Sequence, residues 1–131
     1  MLNQKLRSIL HRGVVIPAHP LALNVDRKFD ERRQRALSRY YIAAGSGGLA
    51  LGVHMTQFAI RDLKHDLLKP VLELAKEEMD RADHQSHEPM LRIGGLCGST
   101  AKAVAEGQLL RDSEYHAGLL NLAAMCGTPE K

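Results

Sequence analysis

Four short apolar runs, separated by stretches of helical periodicity, constrain this chain more than any other feature. They read "VVIP" at 14–17, "GLALGV" at 48–53, "MLRIGGL" at 90–96 and "AGLLNL" at 117–122. Each is too short for a membrane span and lacks the strict apolar–polar alternation of a strand with one wet face. Runs of this kind suit strands buried on both faces, the condition of a parallel sheet sandwiched by other layers.

The stretches between them carry helix signals. Asp30 stands where a carboxylate can cap the first turn of a helix. Leu37, Tyr40, Tyr41 and Ala44 then recur at i, i+3, i+4 and i+7, which puts them on one face, and Gly45 supplies a left-handed C-terminal stop. A second helix begins near Lys69 with Pro70 in its first turn, and Val71, Leu74, Ala75, Met79 and Ala82 mark its inner side. A third is expected over 100–113, capped by Ser99 and burying Ala101, Val104, Ala105 and Leu109. Ahead of the first run, Leu2, Leu6, Ile9 and Leu10 share a face, so residues 1–12 are expected to form an amphipathic leader helix that packs on the body. The order is strand–helix–strand–helix–strand–helix–strand. It points to an α/β fold of about four parallel strands with three crossover helices. A chain of 131 residues suits one such core.

Charge and composition exclude several classes of function. The net charge is +3, and the densest basic group is Arg27, Lys28, Arg32, Arg33, Arg35 and Arg39. Acids are interspersed among them, as on a solvated helix face, and aromatics for base stacking are scarce. No nucleic-acid partner is expected. No apolar run is long enough to cross a membrane, so no membrane partner is expected either. Cys97 and Cys126 form neither a C-x-x-C motif nor a disulfide framework, which fits a reducing cytoplasm. No phosphate-loop motif is present. "GSGG" at 45–48 precedes a strand, the wrong side for a phosphate cradle, and no cofactor is expected.

In parallel α/β folds, ligands bind beyond the carboxyl ends of the strands. The stretch "SGGLALGVHMTQF" runs from a buried strand into His54, Thr56 and Gln57 at that end. His19 follows the first run. Cys97, Ser99 and Thr100 follow the third, and Asn121, Met125 and Cys126 lie in or after the fourth. Each has a structural alternative as a turn or capping residue. Zinc binding by His19, His54 and Cys97 lacks any supporting ligand spacing. His11, His65, His84, His87 and His116 are expected in solvent.

Two long segments carry a resemblance. "D..RRQRALSRYYIAAGSGGLALGVHMTQFA" and "RIGGLCGSTAKAVAEGQLLRDSEYHAGLLNLA" resemble the first half of the dihydrodipicolinate synthase and N-acetylneuraminate lyase family, with "GVVIPAHPLAL" closer to a divergent branch of it. The resemblance spans about residues 13–125. It implies a partial TIM (β/α)8 barrel, with 13–131 as the N-terminal half of a truncated barrel. It also implies class I aldolase chemistry, in which a lysine amine forms an iminium with pyruvate or a related 2-oxo acid. The family's lysine lies on the sixth strand and its proton-relaying tyrosine near the fifth. No catalytic residue is therefore assigned in this chain, and the fragment alone is expected to be inactive or nearly so. Gly52 matches the family's "GTTGE" turn, and Val53 and His54 stand in place of its threonine pair. His54, Thr56, Gln57 and His19 become the substrate-binding candidates, and no metal is implied. Open barrel edges imply self-association. The alternatives are a noncatalytic α/β assembly or binding module and a metal-dependent hydrolase-like barrel fragment.

Overall fold

The computed structural model describes residues 3–124. Within them, α1 (Gln4–Arg12), α2 (Glu31–Ala43), β1 (Gly48–Leu51), α3 (Leu68–Asp83), β2 (Leu91–Leu96), α4 (Thr100–Asp112) and β3 (Ala117–Leu120) follow in order. The three strands pair in parallel in the order β1-β2-β3, so the expected α/β architecture with a parallel sheet is present.

The first apolar run departs from expectation. It forms no regular strand, only a parallel bridge from Ala18 to Ala50. Residues 15–19 nevertheless lie along β1. Val15 and Pro17 accept from the Gly47 and Ala50 amides at 2.9 and 3.0 Å, and the His19 amide donates to the Ala50 carbonyl at 2.9 Å. Pro17 has no N–H to give, so the ladder is interrupted at its centre. The pairing also reaches two residues further than the expected 14–17. The second and fourth runs are shorter than expected: β1 ends at Leu51 and β3 at Leu120.

Side-chain alternation divides the sheet into two faces. Leu49 and Leu51, both fully buried, pack on Val71, Leu72, Ala75 and Met79 of α3. By register, Leu51 aligns with Gly94 and Gly94 with Gly118. A Cβ on Gly94 would collide with Leu110 of α4, so α4 lies on this same face. On the opposite face α1 covers the N-terminal ends of the strands, where Leu6 and Ile9 join Leu91, Val14 and Ile16. Toward the C-terminal ends that face is open, with Ala18 and Leu119 exposed.

Helix ends follow the chemistry of their residues. Asp30 accepts the Arg33 amide at 2.9 Å as the N-cap of α2. At its C-terminus Gly45 takes φ +88°, and the Gly45 and Ser46 amides close on Ile42 and Tyr41 at 3.0 and 3.1 Å. This is the paired turn that glycine makes inexpensive.

Two helix faces differ from the sequence expectation. On α2, Tyr40 is exposed, and Gln34 and Ser38, one turn apart, are fully buried. On α4, Ala103 and Leu110 are buried while Ala101, Val104 and Ala105 are exposed. The glycines of β2 and β3 make room for Leu110, and that contact sets the rotation of the helix. The inner face of α3 matches at Val71, Leu74, Ala75 and Met79 but adds Glu78, only 2% exposed. Glu78 is held by Arg39 at 2.7 Å, Arg35 at 3.0 Å and Arg81 at 3.2 Å. Part of the basic α2 face is thus the counterion of a buried carboxylate. No helix among the described residues is long and apolar enough to cross a membrane.

Candidate functional site

The site expected from sequence lies at the carboxyl ends of the strands, and its four candidate residues occupy three environments there. His19 is fully buried. Its Nε2 lies 2.9 Å from Ser38 Oγ, and its Nδ1 lies 2.8 Å from both the Pro20 carbonyl and Gln34 Nε2. With Nδ1 protonated, the ring donates to Pro20 and accepts from Ser38. With Nε2 protonated, it donates to Ser38 and accepts from Gln34. Both ring nitrogens are engaged by protein in either tautomer. Burial holds the imidazole below its ordinary pKa, an effect only partly offset by the Pro20 carbonyl. His19 is therefore a neutral strut beneath the site, not a residue of its rim. Gln34 completes the brace by accepting the Ala22 amide at 2.7 Å and donating to Pro20 at 3.0 Å.

Thr56 is also fully buried. Its hydroxyl donates to the His19 carbonyl at 2.6 Å and accepts the Gly52 amide at 3.1 Å. It joins the end of β1 to the end of the first run and has no surface to offer a ligand.

His54 opens the 3-10 turn His54–Thr56 and is exposed. Its ring meets Phe58 edge-on at 5.8 Å. It borders a cleft of 480 Å³ on the open face, whose walls are mainly apolar: Ile16, Ala18, Ala50, Met55, Phe58 and Leu119. Among the described residues, Asn121 is the other polar side chain on this cleft.

Gln57 is separate from that cleft. It borders a 240 Å³ cavity with Leu21, Leu23, Arg27, Ile60 and His65. Its backbone, at φ +71° and ψ 119°, lies in a region that L-residues avoid.

Sequence reading missed Arg61. This residue follows the end of β1 at Leu51 by ten positions and carries no motif, so only the fold reveals it. Its Nη2 donates to the Gly52 carbonyl at 2.8 Å and the Gly95 carbonyl at 3.0 Å, tying the tips of β1 and β2. Its Nε pairs with Glu106 of α4 at 2.7 Å. The other Glu106 oxygen accepts the Cys97 amide at 3.0 Å. Ser99 occupies the N-cap position of α4 as expected, but its side chain makes no capping bond. Burial raises the Cys97 thiol above its ordinary pKa, with Arg61 opposing and Glu106 reinforcing. A thiol so placed is a poor nucleophile.

Among the described residues, no cluster of three or more His, Cys, Asp or Glu side chains is arranged to hold a metal. His19, with both nitrogens occupied, is unsuited to serve as a ligand. Met125 and Cys126 lie outside the described residues. His116, expected in solvent, is partly buried against Arg92 of β2. No protein-family model matches the sequence, and a search of curated proteins returned no match.

Proposed function

We propose that this chain forms part of a class I aldolase-like (β/α)8 barrel and that the cleft beside His54 is part of a binding site for a 2-oxo acid. The observation that carries the reading is the winding of the sheet. Strands follow one another in sequence order, all parallel, with α3 and α4 on one face. A doubly wound sheet reverses its strand order and sends crossover helices to both faces, whereas a barrel keeps them on one; α1 precedes the first run, is no crossover, and caps the N-terminal ends of the strands on the other face. The cleft at the carboxyl ends, with an exposed imidazole on its border, agrees with where barrels bind substrate. In this reading His54 hydrogen-bonds the substrate carboxylate, and His19, Ser38, Gln34 and Thr56 hold the floor beneath it. The two cysteines favour a cytoplasmic location for the protein.

The lysines of the described residues lie on helices and loops, with none on a strand. The chain alone is accordingly expected to form no Schiff base. Treatment with pyruvate and borohydride should leave its mass unchanged. Titration with pyruvate should shift the NMR signals of His54 and Asn121 while leaving His19 in place. A covalent adduct, or pyruvate shifts absent from His54, would overturn the reading.

A second reading has its own observation. β3 is an edge strand, and Met55, Phe58, Leu119, Leu120 and Leu122 are exposed near the open face. We propose that this apolar edge supports self-association as a noncatalytic assembly module. Light scattering distinguishes the outcomes: a monomer at high concentration removes this second reading.

A further inference from the structure

Among the described residues β3 is an edge strand, paired to β2 along Ala117–Leu120, and His116 opens that pairing. The His116 amide donates to the Arg92 carbonyl at 2.9 Å, and the Arg92 amide donates back to His116 Nδ1 at 3.1 Å. Both main-chain groups of Arg92 on β2 are thus held by His116. The second bond requires Nδ1 to be unprotonated. The ring proton then sits on Nε2, which faces Arg92 Nη1 at 3.4 Å, donor toward donor.

The surroundings leave Arg92 little freedom to withdraw. Its guanidinium, 11% exposed, donates to Asp80 and Asp83 of α3 at 2.6 Å each. Its Nε is buried without a partner. Lys76 of α3 binds Asp80 at 2.7 Å and Glu114, in the turn before β3, at 2.9 Å. Tyr115 is buried and neutral, its hydroxyl donating to the Leu72 carbonyl at 2.9 Å. At the end of α4, Arg111 and Asp112 pair with each other. The nearby carboxylates are therefore already engaged by Arg92 and Lys76.

We propose that His116 is an acid-releasable latch on β3: the neutral ring clips the edge strand to β2, and protonation unfastens it. A second proton on the ring removes the acceptor for the Arg92 amide and places a cation against the guanidinium. Release loosens the residues that follow, and Leu119, Leu120 and Asn121 form one wall of the cleft beside His54. Acid thereby opens that wall. The device stands whatever the cleft binds. Burial first, then Arg92, keeps the ring below its ordinary pKa, with Asp83 opposing. The latch is therefore closed at neutral pH.

Hydrogen exchange of the intact chain, corrected for intrinsic rates, tests this. Between about pH 7.5 and about pH 5, the Leu119 and Asn121 amides should lose about tenfold or more in protection beyond the loss that β1 amides show as global stability falls. The ring signals of His116 should titrate over the same interval with a midpoint below the ordinary 6.5. H116N retains an acceptor without a titrating ring, and its β3 protection should fall in acid no more than that of β1. The proposal fails if wild-type β3 loses no more protection than β1 across the His116 titration, if the midpoint lies at or above the ordinary value, or if H116N keeps the excess loss at β3. The wild-type measurements decide the matter even where H116N does not fold.

Discussion

Thr56 Oγ1 donates to the His19 carbonyl at 2.6 Å, joining residues 37 positions apart in the chain. The same oxygen accepts the Gly52 amide, so one hydroxyl serves two buried main-chain groups. Thr56→Val keeps the shape and strands both partners. A loss of about 2–4 kcal/mol in urea denaturation is expected, against about 1 kcal/mol or less for Thr56→Ser. Equal losses for the two variants would show that the hydroxyl contributes nothing.

His19 gives stability a pH dependence of definite sign. Its folded-state pKa lies below the ordinary 6.5, so on acidification the unfolded chain takes up the proton first. The contribution is complete above the ordinary value and falls as pH descends from there toward the folded value. His116 acts in the same direction. Urea midpoints should be level above about pH 7 and decline toward about pH 5. His19→Gln, although less stable at neutral pH, should show a shallower decline.

Glu78 also loses its stabilising contribution on acidification, but over a more acidic range and because it is an acid held in its charged form. Burial works to raise its pKa, but Arg39 and Arg35 overcome that and hold it below the ordinary 4.5. The stabilisation is present above the ordinary value and disappears as pH falls through the folded one. Glu78→Gln removes the anion on which three arginines converge, with an expected loss of about 2 kcal/mol at neutral pH. Thermal denaturation at neutral pH and at pH below the folded value should show the difference between variant and wild type shrinking in acid.

Gln57 carries backbone strain that a glycine would not. Gln57→Gly should raise stability by about 1 kcal/mol in chemical denaturation. A loss instead would mean that the side chain makes a contribution larger than the strain it imposes.

The elements were largely legible in the sequence, and the reasons differ from one to the next. Helix α2 announces itself through Asp30 and Gly45, because caps and stops are local chemistry. The first run has the composition of a regular strand, yet Pro17 permits pairing only by acceptance. The face of α4 does not follow from its own periodicity, because its rotation depends on Gly94 and Gly118, residues remote in sequence that leave space for Leu110. Polar residues in the interior were the hardest to foresee. Gln34, Ser38 and Glu78 look like surface positions until their partners are known. The candidate site divides in the same way. Its location at the strand ends follows from topology, whereas the distinction between exposed His54 and buried His19 and Thr56 rests on hydrogen bonds between distant segments.

Arg61 acts as a spacer bar between two strand tips. Because the single Nη2 of its guanidinium bridges the carbonyls of Gly52 and Gly95, the gap between those tips is set by two hydrogen bonds to one nitrogen. Drift at Met55 or Phe58 alters what the mouth touches without altering how wide it stands. The scaffold thus separates tolerance for new contacts from the dimension that any such contact must fit, and selection can act on the one while leaving the other intact.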